Sequence, residues 1–548
     1  MTRGTWEVIE RADGRETVTV SGKYLTVWKR LPNGTWKVAA DIGNFDAKSP
    51  GPRRKGEKMT KETVRRVKCS LFVLAAAGLS LVLSGASPRE VAIESIEGGA
   101  IFETVDHLSG PGYSGRLTGT EGYAAAADWI ISQVRAAGLD PVDAHSDYLQ
   151  PFTFTMRKIR NADLWLLPEE EGGKERKGVF FEDYMPMLQS AGGEVEAEVV
   201  FAGYGISSPG RNDYASIDVE GKVAMVLRGQ PSEGVWRHYV SRRARMEAAR
   251  EHGAAAFFLI DTAVLSASGP LPDGLPGCMV SKAFADAILS EKGFTVEQLG
   301  RSLKEGGVVS FPTGRKVRVS IRSGAPEEVR GLNVLALLPG SDPGLAGEAV
   351  ILGAHLDHIG DWPELICGAD DNASGSATLL EIARASARLP RRPMRSILFV
   401  WFGGEELGLL GSRHLAAHLP EEARSAVGVY NMDMVGAGTG LWVSAGKDYP
   451  AMMSRMEEAR DRWFPDMAIL GGKVRGEMRA DHGPFIEAGV PAVSIFGMRG
   501  EHHGYHTPGD TVWWITPKVM EAAGRIVMDS ALSLADAPKA EGSPPKTP

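Results

Sequence analysis

Cysteine is scarce in this chain of 548 residues: there are three, at Cys69, Cys278 and Cys367. Cys69 lies in a hydrophobic leader, so only one disulfide could form between the other two, and a disulfide framework is excluded. Basic charge is also in short supply. With 61 Lys and Arg against 69 Asp and Glu, the net charge is -8 and the pI is near 5.9. No basic footprint for nucleic acid is present. The sequence has no internal repeat and no phosphate-binding loop; GMRGEHHG is rich in Gly but lacks the pattern.

What is present centres on 354–406, which opens as AHLDHIG, continues as GADDNASGSATLLEIA and ends in FVWFGGEE. The runs ILGA before His355 and SILFV before Trp401 are short and continuously apolar, as in strands of a parallel sheet. After Asp371 a helix is predicted, started by Asn372 or Ser374, with Leu379, Leu380, Ile382 and Ala383 on its apolar face. Strand, polar loop and helix make an α/β unit, whose ligand sites form at the carboxyl ends of the strands. His355, Asp357, Asp371, Glu405 and Glu406 fall there. Downstream, AVGVYNMDMVG delivers Asp433 and GYHTPGDT carries His506 and Asp510. Two His and three carboxylates suit zinc, which takes nitrogen and carboxylate oxygen and, when catalytic, keeps a position open for water. Taken singly, a His or Asp at a strand end is most often a loop residue bonded to backbone, and Glu405 and Glu406 could simply start a helix.

Together and in this order, the motifs resemble peptidase family twenty-eight, the co-catalytic zinc aminopeptidases related to glutamate carboxypeptidase, glutaminyl cyclase and the transferrin receptor. The resemblance covers roughly 95–535 and implies an α/β three-layer sandwich with a mixed, mostly parallel sheet. It implies two zinc ions, one held by His355 and Asp433 and the other by Glu406 and His506, with Asp371 bridging them. Glu405 would be the general base and Asp357 would orient His355, as carboxylates do for zinc-bound imidazole. The Asp371–Asn372 peptide bond would be cis. Secreted members carry a Tyr shortly before a Ser-Asp-His segment, where it helps hold an oxyanion. Here RGEMRADHGPF has Glu477 about where that Tyr would be, leaving Arg479, His482 or the zincs alone for the role.

The rest of the chain falls into expected segments. Residues 1–58 begin with alternating strand patterns around a Pro32-Asn33-Gly34 hairpin signal. They resemble the last strands of a ketosteroid-isomerase-like (nuclear transport factor 2-like) domain, and are a remnant or a mis-assigned start. Residues 59–86 form a basic segment, an apolar run and a Ser84-Gly85-Ala86 exit: a signal peptide, with a membrane anchor as the alternative. Residues 87–175 begin the catalytic domain, with a helix over 124–137 ended by Gly138 and a strand over 148–154. Gly115 and Arg116 match a Gly-Arg pair of the family, and this stretch is taken as packing without chemistry.

From 176 to 324 the catalytic motifs stop, and AEVVFAGYGI, GKVAMVLRG and AAAFFLI read as strands with a charged helix at 242–252. This looks like an inserted, β-rich protease-associated domain, serving either as a substrate selector or as a spacer. Tyr239, Arg242 and Arg243 are read as a solvated face. The catalytic domain resumes over 325–534, with helices at 452–463 and 518–534 and a strand at 490–496. Residues 535–548 form a disordered tail.

The functional expectation is a secreted or periplasmic aminopeptidase acting on peptides. Carboxypeptidase, glutaminyl cyclase and inactive receptor-like protein are the alternatives. Asp361, Glu364 and Asp370, on a segment free of Lys and Arg, would favour a substrate amino terminus. Lys473, Arg475, Arg479 and Arg499 would instead favour a carboxyl terminus.

Overall fold

The computed structural model describes the backbone of 2–12, 15–30 and 36–45, and the chain over 87–538 apart from 143–146, 171, 188–189, 233–235, 237–238, 263–273, 475–479, 499–501 and 503. The leader at 59–86 and most of the tail lie outside the described residues. Two units are distinguished, Met1–Gly85 and Ala86–Pro548. In the first, Thr2–Ala12, Arg15–Arg30 and Trp36–Phe45 form an antiparallel three-stranded sheet. Arg30 pairs with Trp36, so the strands meet on either side of the Pro32-Asn33-Gly34 signal, which itself lies outside the described residues.

The second unit holds a nine-stranded and an eight-stranded sheet. At the centre of the larger one, Ala492–Met498, Ser425–Met432, Glu348–His355 and Ser396–Phe402 run parallel side by side. Antiparallel neighbours flank them: Glu327–Leu338 on one side and Gly440–Ser444 on the other. The central strands are apolar along their length because both faces are covered. On one face Gly98–Leu108, Glu121–Ala137, Gly375–Ala387 and Pro517–Ala535 pack through residues such as Ile101, Ile130, Leu380 and Ile526. On the other, Leu410–Ala417 and His482–Glu487 bury Leu415 and Phe485 against Phe402 and Val429. The result is a mixed-sheet three-layer sandwich. The helix expected from 124 begins earlier, at Glu121, because Thr120 accepts from the Tyr123 N–H and caps it.

The eight-stranded sheet is inserted between two strands of the larger one. The chain leaves after Leu149–Met156 and returns at Glu327–Leu338, and the Gly324 N–H bonds the Lys158 carbonyl at the crossing. Ile159–Leu166, ahead of the 176–324 span expected for this region, already belongs to the smaller sheet. There Gly193–Ala202, Val223–Leu227, Ala256–Ile260 and Gly277–Val280 run parallel, with Ser310–Ser323 closing antiparallel. Phe180, Phe181 and Met185 from this region cluster with Ile359, Trp362 and Ile366 of the larger one. Among the described residues no helix is long and apolar enough to cross a membrane.

Candidate metal centre

The site forms where the central parallel strands end. Glu348–His355 delivers His355, Ser396–Phe402 is followed by Glu405 and Glu406, and Ser425–Met432 by Asp433. Glu405 and Glu406 do not start a helix: the Glu405 carbonyl accepts from Gly408 and Leu409, and the helix begins at Leu410. Asp371 arrives on the turn before Gly375–Ala387. There Asn372 supplies the start signal, its Oδ1 accepting the Gly375 N–H at 2.8 Å. Asp510 holds the same turn from outside, accepting the N–H groups of Asp370 and Asp371 at 2.8 and 3.0 Å. The Asp371–Asn372 bond is cis, as the family resemblance implies.

Asp371 divides its two oxygens between two imidazoles. Oδ1 lies 3.3 Å from His355 Nε2, and Oδ2 lies 3.0 Å from His506 Nε2. Asp433 completes the first side at 3.4 Å from His355, and Glu406 the second at 3.0 Å from His506. The resemblance pairs the residues in the same way. His506 has φ +54, a left-handed turn that is uncommon outside Gly but visited by His.

Asp357 differs from expectation. The His355 Nδ1 meets the backbone carbonyl of Asp357 at 3.1 Å, while the nearest carboxylate oxygen is 3.8 Å away. That carboxylate instead accepts the Glu405 N–H at 3.2 Å, so Asp357 meets His355 through its main chain and the loop carrying Glu405 through its side chain. Burial pushes the Asp357 carboxyl up to about 7.

Two residues near the centre escape a sequence reading. His358 is fully buried, with Nδ1 2.8 Å from Glu406 Oε1. Tyr505 stacks on the His506 ring at 3.8 Å between centroids and 20° between planes, yet is 42% exposed. Their only sequence signal is adjacency, His358 three places after His355 and Tyr505 one before His506. Arg116, assigned to packing, is a third: its guanidinium donates to the carbonyls of Leu108, Leu356, Cys367 and Gly368. It ties together the segments carrying His355 and Asp371. Gly115 is required beside it, since a Cβ there would stand 2.2 Å from the Gly360 carbonyl oxygen.

Of the residues expected to face substrate, Asp370 departs from its expected place. Asp370 is buried, accepting from Gly436 at 2.8 Å and pairing with His502 at 2.6 Å, so it is not part of an acidic rim. Asp361, Glu364 and Lys473 are exposed. His482 is buried, and burial pushes its imidazole down to about 4, so the ring is neutral. Arg475, Glu477, Arg479 and Arg499 lie outside the described residues.

The electrostatics ask for cations. Among the described residues the ion-pair partners of Asp371, Glu406 and Asp433 are imidazoles. Burial opposes charge on His506, but Glu406 and Asp371 outweigh it and raise its pKa to about 10. Burial, then Glu406, Asp481 and Asp433, raise Glu405 well above the carboxylate range against the pull of His355. Protons are being drawn in where positive charge is missing. The donor atoms fall into two groups, His358, Asp371, Glu406 and His506 in one and His355, Glu405 and Asp433 in the other, each within 4.8 Å. A set of nitrogen and carboxylate oxygen donors converging under burial fits a metal such as zinc.

Residues 333–531 match the profile of peptidase family M28, and residues 195–288 match the PA domain. The chain carries a family M28 domain with an inserted PA domain. Aminopeptidase YwaD of Bacillus subtilis is 33% identical over 192 residues, which is 33% of this chain and 40% of the relative. Matches to this and two similar curated relatives span 36–56% of those relatives' lengths. Among solved structures, an aminopeptidase from Aneurinibacillus sp. strain AM-1 superposes with a TM-score of 0.59 at 22% identity, covering 82% of this chain and 96% of that one. The zinc aminopeptidase from Bacillus subtilis superposes at 0.54 and 20% identity, covering 80% and 95%. These likenesses establish the fold of the M28 domain together with its PA insert.

Proposed function

We propose that the chain is an exported, zinc-dependent aminopeptidase that holds two zinc ions. The observation that carries this reading is the division of the Asp371 oxygens between His355 and His506, with Asp433 and Glu406 completing the two sides. Bound there, zinc would acidify a water and polarise a peptide carbonyl.

The residues of the chain would do the rest. Glu405 lies among the donors of the His355 side and has no place in the proposed ligand set, so it would accept a proton from the attacking water and return it to the leaving amine. The Asp357 carboxylate holds the Glu405 backbone during both transfers. Tyr505 is 42% exposed as a whole residue, while desolvation of its phenol and the charges of Asp371, Glu406 and Glu405 keep that phenol protonated. We assign it as the hydroxyl that donates to the carbonyl oxygen as charge develops there.

The preference for a free amino terminus rests on the exposed Asp361 and Glu364 of the adjoining segment. A cation at contact with a carboxylate gains about 1 kcal/mol in water and more when partly desolvated. The test compares an aminoacyl anilide with its amino-acetylated form. Cleavage of the free amine alone is expected. Equal cleavage, or preference for an acetylated peptide with a free carboxylate, would overturn the aminopeptidase reading in favour of a carboxypeptidase. Zinc stoichiometry separates both from a one-zinc cyclase. Export belongs to the same reading: Ser87 caps the helix Pro88–Glu94, so a terminus at Ser87 leaves the folded unit intact. Terminal sequencing of exported protein should find it there.

A further inference from the structure

The centre contains a third imidazole that the ligand set has no use for. His358 lies on the segment after the strand Glu348–His355, three residues past His355, and is 0% exposed. Its place is set by its surroundings rather than by its own rotamer. The His358 N–H bonds the Arg116 carbonyl at 3.2 Å. A Cβ on Gly368 would stand 2.5 Å from the ring atoms Cγ and Cδ2, so Gly368 lets the backbone of the Asp371 turn lie against the imidazole. The His506 ring is edge-on to it, 5.5 Å between centroids at 73°.

In that position Nδ1 is 2.8 Å from Glu406 Oε1, a hydrogen-bond length. The other Glu406 oxygen, Oε2, is 3.0 Å from His506 Nε2, which is itself 3.0 Å from Asp371 Oδ2. These three atoms converge on one point. His358 Nδ1 stands farther from Asp371, 3.9 Å from its Oδ2, and its hydrogen bond goes to the other oxygen of Glu406. Among the described residues its other nitrogen, Nε2, is buried without a hydrogen-bond partner, so none of them offers a competing bond that would turn the ring away.

Resting on the two-zinc reading above, we propose that His358 is a positioning residue that donates from Nδ1 to Glu406 Oε1 and so aims Oε2 at the metal shared with His506 and Asp371. The arrangement inverts the familiar one in which a carboxylate steadies a ligating imidazole; here an imidazole steadies a ligating carboxylate. A carboxylate ligand free to rotate would share its charge with solvent or with Asp371 instead, and that metal would be held less tightly.

The test measures zinc retention, not turnover, in full-length protein carrying His358→Leu or His358→Asn. Asparagine places an amide N–H where Nδ1 stands; leucine fills the space without a donor. Zinc is stripped with graded chelator buffers and the metal remaining is counted by mass spectrometry, with circular dichroism reporting the fold. In His358→Leu one zinc should leave at roughly 10 to 100 times the free zinc of the wild type, while the other leaves as before. His358→Asn should retain both. Equal loss in the two variants would make His358 a ligand in its own right and overturn the proposal. No loss in either would overturn it as well. Should His358→Leu fail to fold, His358→Gln takes its place, because its amide reaches the Nε2 position and cannot meet Glu406. A wild-type protein that binds no zinc would instead sink the metal reading beneath it.

Discussion

The two large sheets use the same construction and end in opposite ways. In the PA region the parallel strands Val223–Leu227, Ala256–Ile260 and Gly277–Val280 deliver Arg228, Asp261 and Ser281 at their carboxyl ends. Arg228 pairs with Asp261, and Ser281 accepts the Phe284 N–H to cap the next helix. Each polar group is satisfied by a neighbour. In the M28 domain the corresponding strand ends deliver His355, Glu405, Glu406 and Asp433, where like charges are crowded together instead of cancelled. Both regions also bury an arginine on backbone carbonyls: Arg245 on Val240, Leu227 and Gly229, and Arg116 on Leu108, Leu356, Cys367 and Gly368. Burial of charge therefore does not mark chemistry by itself. The mark is charge left for a cation to complete.

The comparison breaks if the crowded end is not the reactive one. Glu405→Gln should lower turnover by about 1,000-fold, within the range for lost acid–base catalysis, while the metal stays bound. Arg243→Gln on the PA helix, where Arg243 is exposed beside Glu247, should change nothing. Steady-state kinetics with metal analysis on the same samples decides it, and near wild-type turnover in Glu405→Gln would remove that residue from the mechanism. Next in size, Tyr505→Phe should cost about 100-fold in kcat with KM held, since the hydroxyl acts only as charge develops. A rise in KM alone would make Tyr505 a binding residue.

The two buried arginines sharpen the contrast. Arg116→Met and Arg245→Met should each destabilise by about 3 kcal/mol in urea, because buried carbonyls lose their donors. Only Arg116→Met should also reduce zinc content, as it frees the segments carrying His355 and Asp371. Equal zinc in both variants would reduce Arg116 to the packing role that its sequence suggests.

The smallest effect concerns acid. His482 has a folded pKa near 4 against an ordinary 6.5, because burial penalises its charged form. A depressed imidazole pKa means that the unfolded chain takes the proton first. The stabilisation is present above pH 6.5 and lost as pH falls toward 4, by up to about 3 kcal/mol. His482→Phe should flatten that limb of the stability profile between pH 6.5 and 4, read from urea midpoints at each pH. An unchanged slope would mean that His482 is solvated in the native protein.

Much of this was legible in the residues themselves. Continuous apolar runs before His355 and Trp401 read as strands covered on both faces, and polar residues that follow such a run fall at the carboxyl end of its strand. That placed His355, Glu405, Glu406 and Asp433 from local pattern alone. Whether neighbouring groups satisfy one another is decided in three dimensions. Asp370 read as rim, yet it folds inward to Gly436 and His502, residues 66 and 132 positions away. Arg116 read as packing because its four carbonyl partners are invisible in a sequence: every residue but its side chain looks alike as an acceptor. His358 followed the ligand motif but acquired a partner only when Glu406, 48 residues on, was brought against it. Periodicity and burial are local properties of a chain, and so its sequence determines them. Convergence of charge depends on which strand ends become neighbours, and only the tertiary structure decides that.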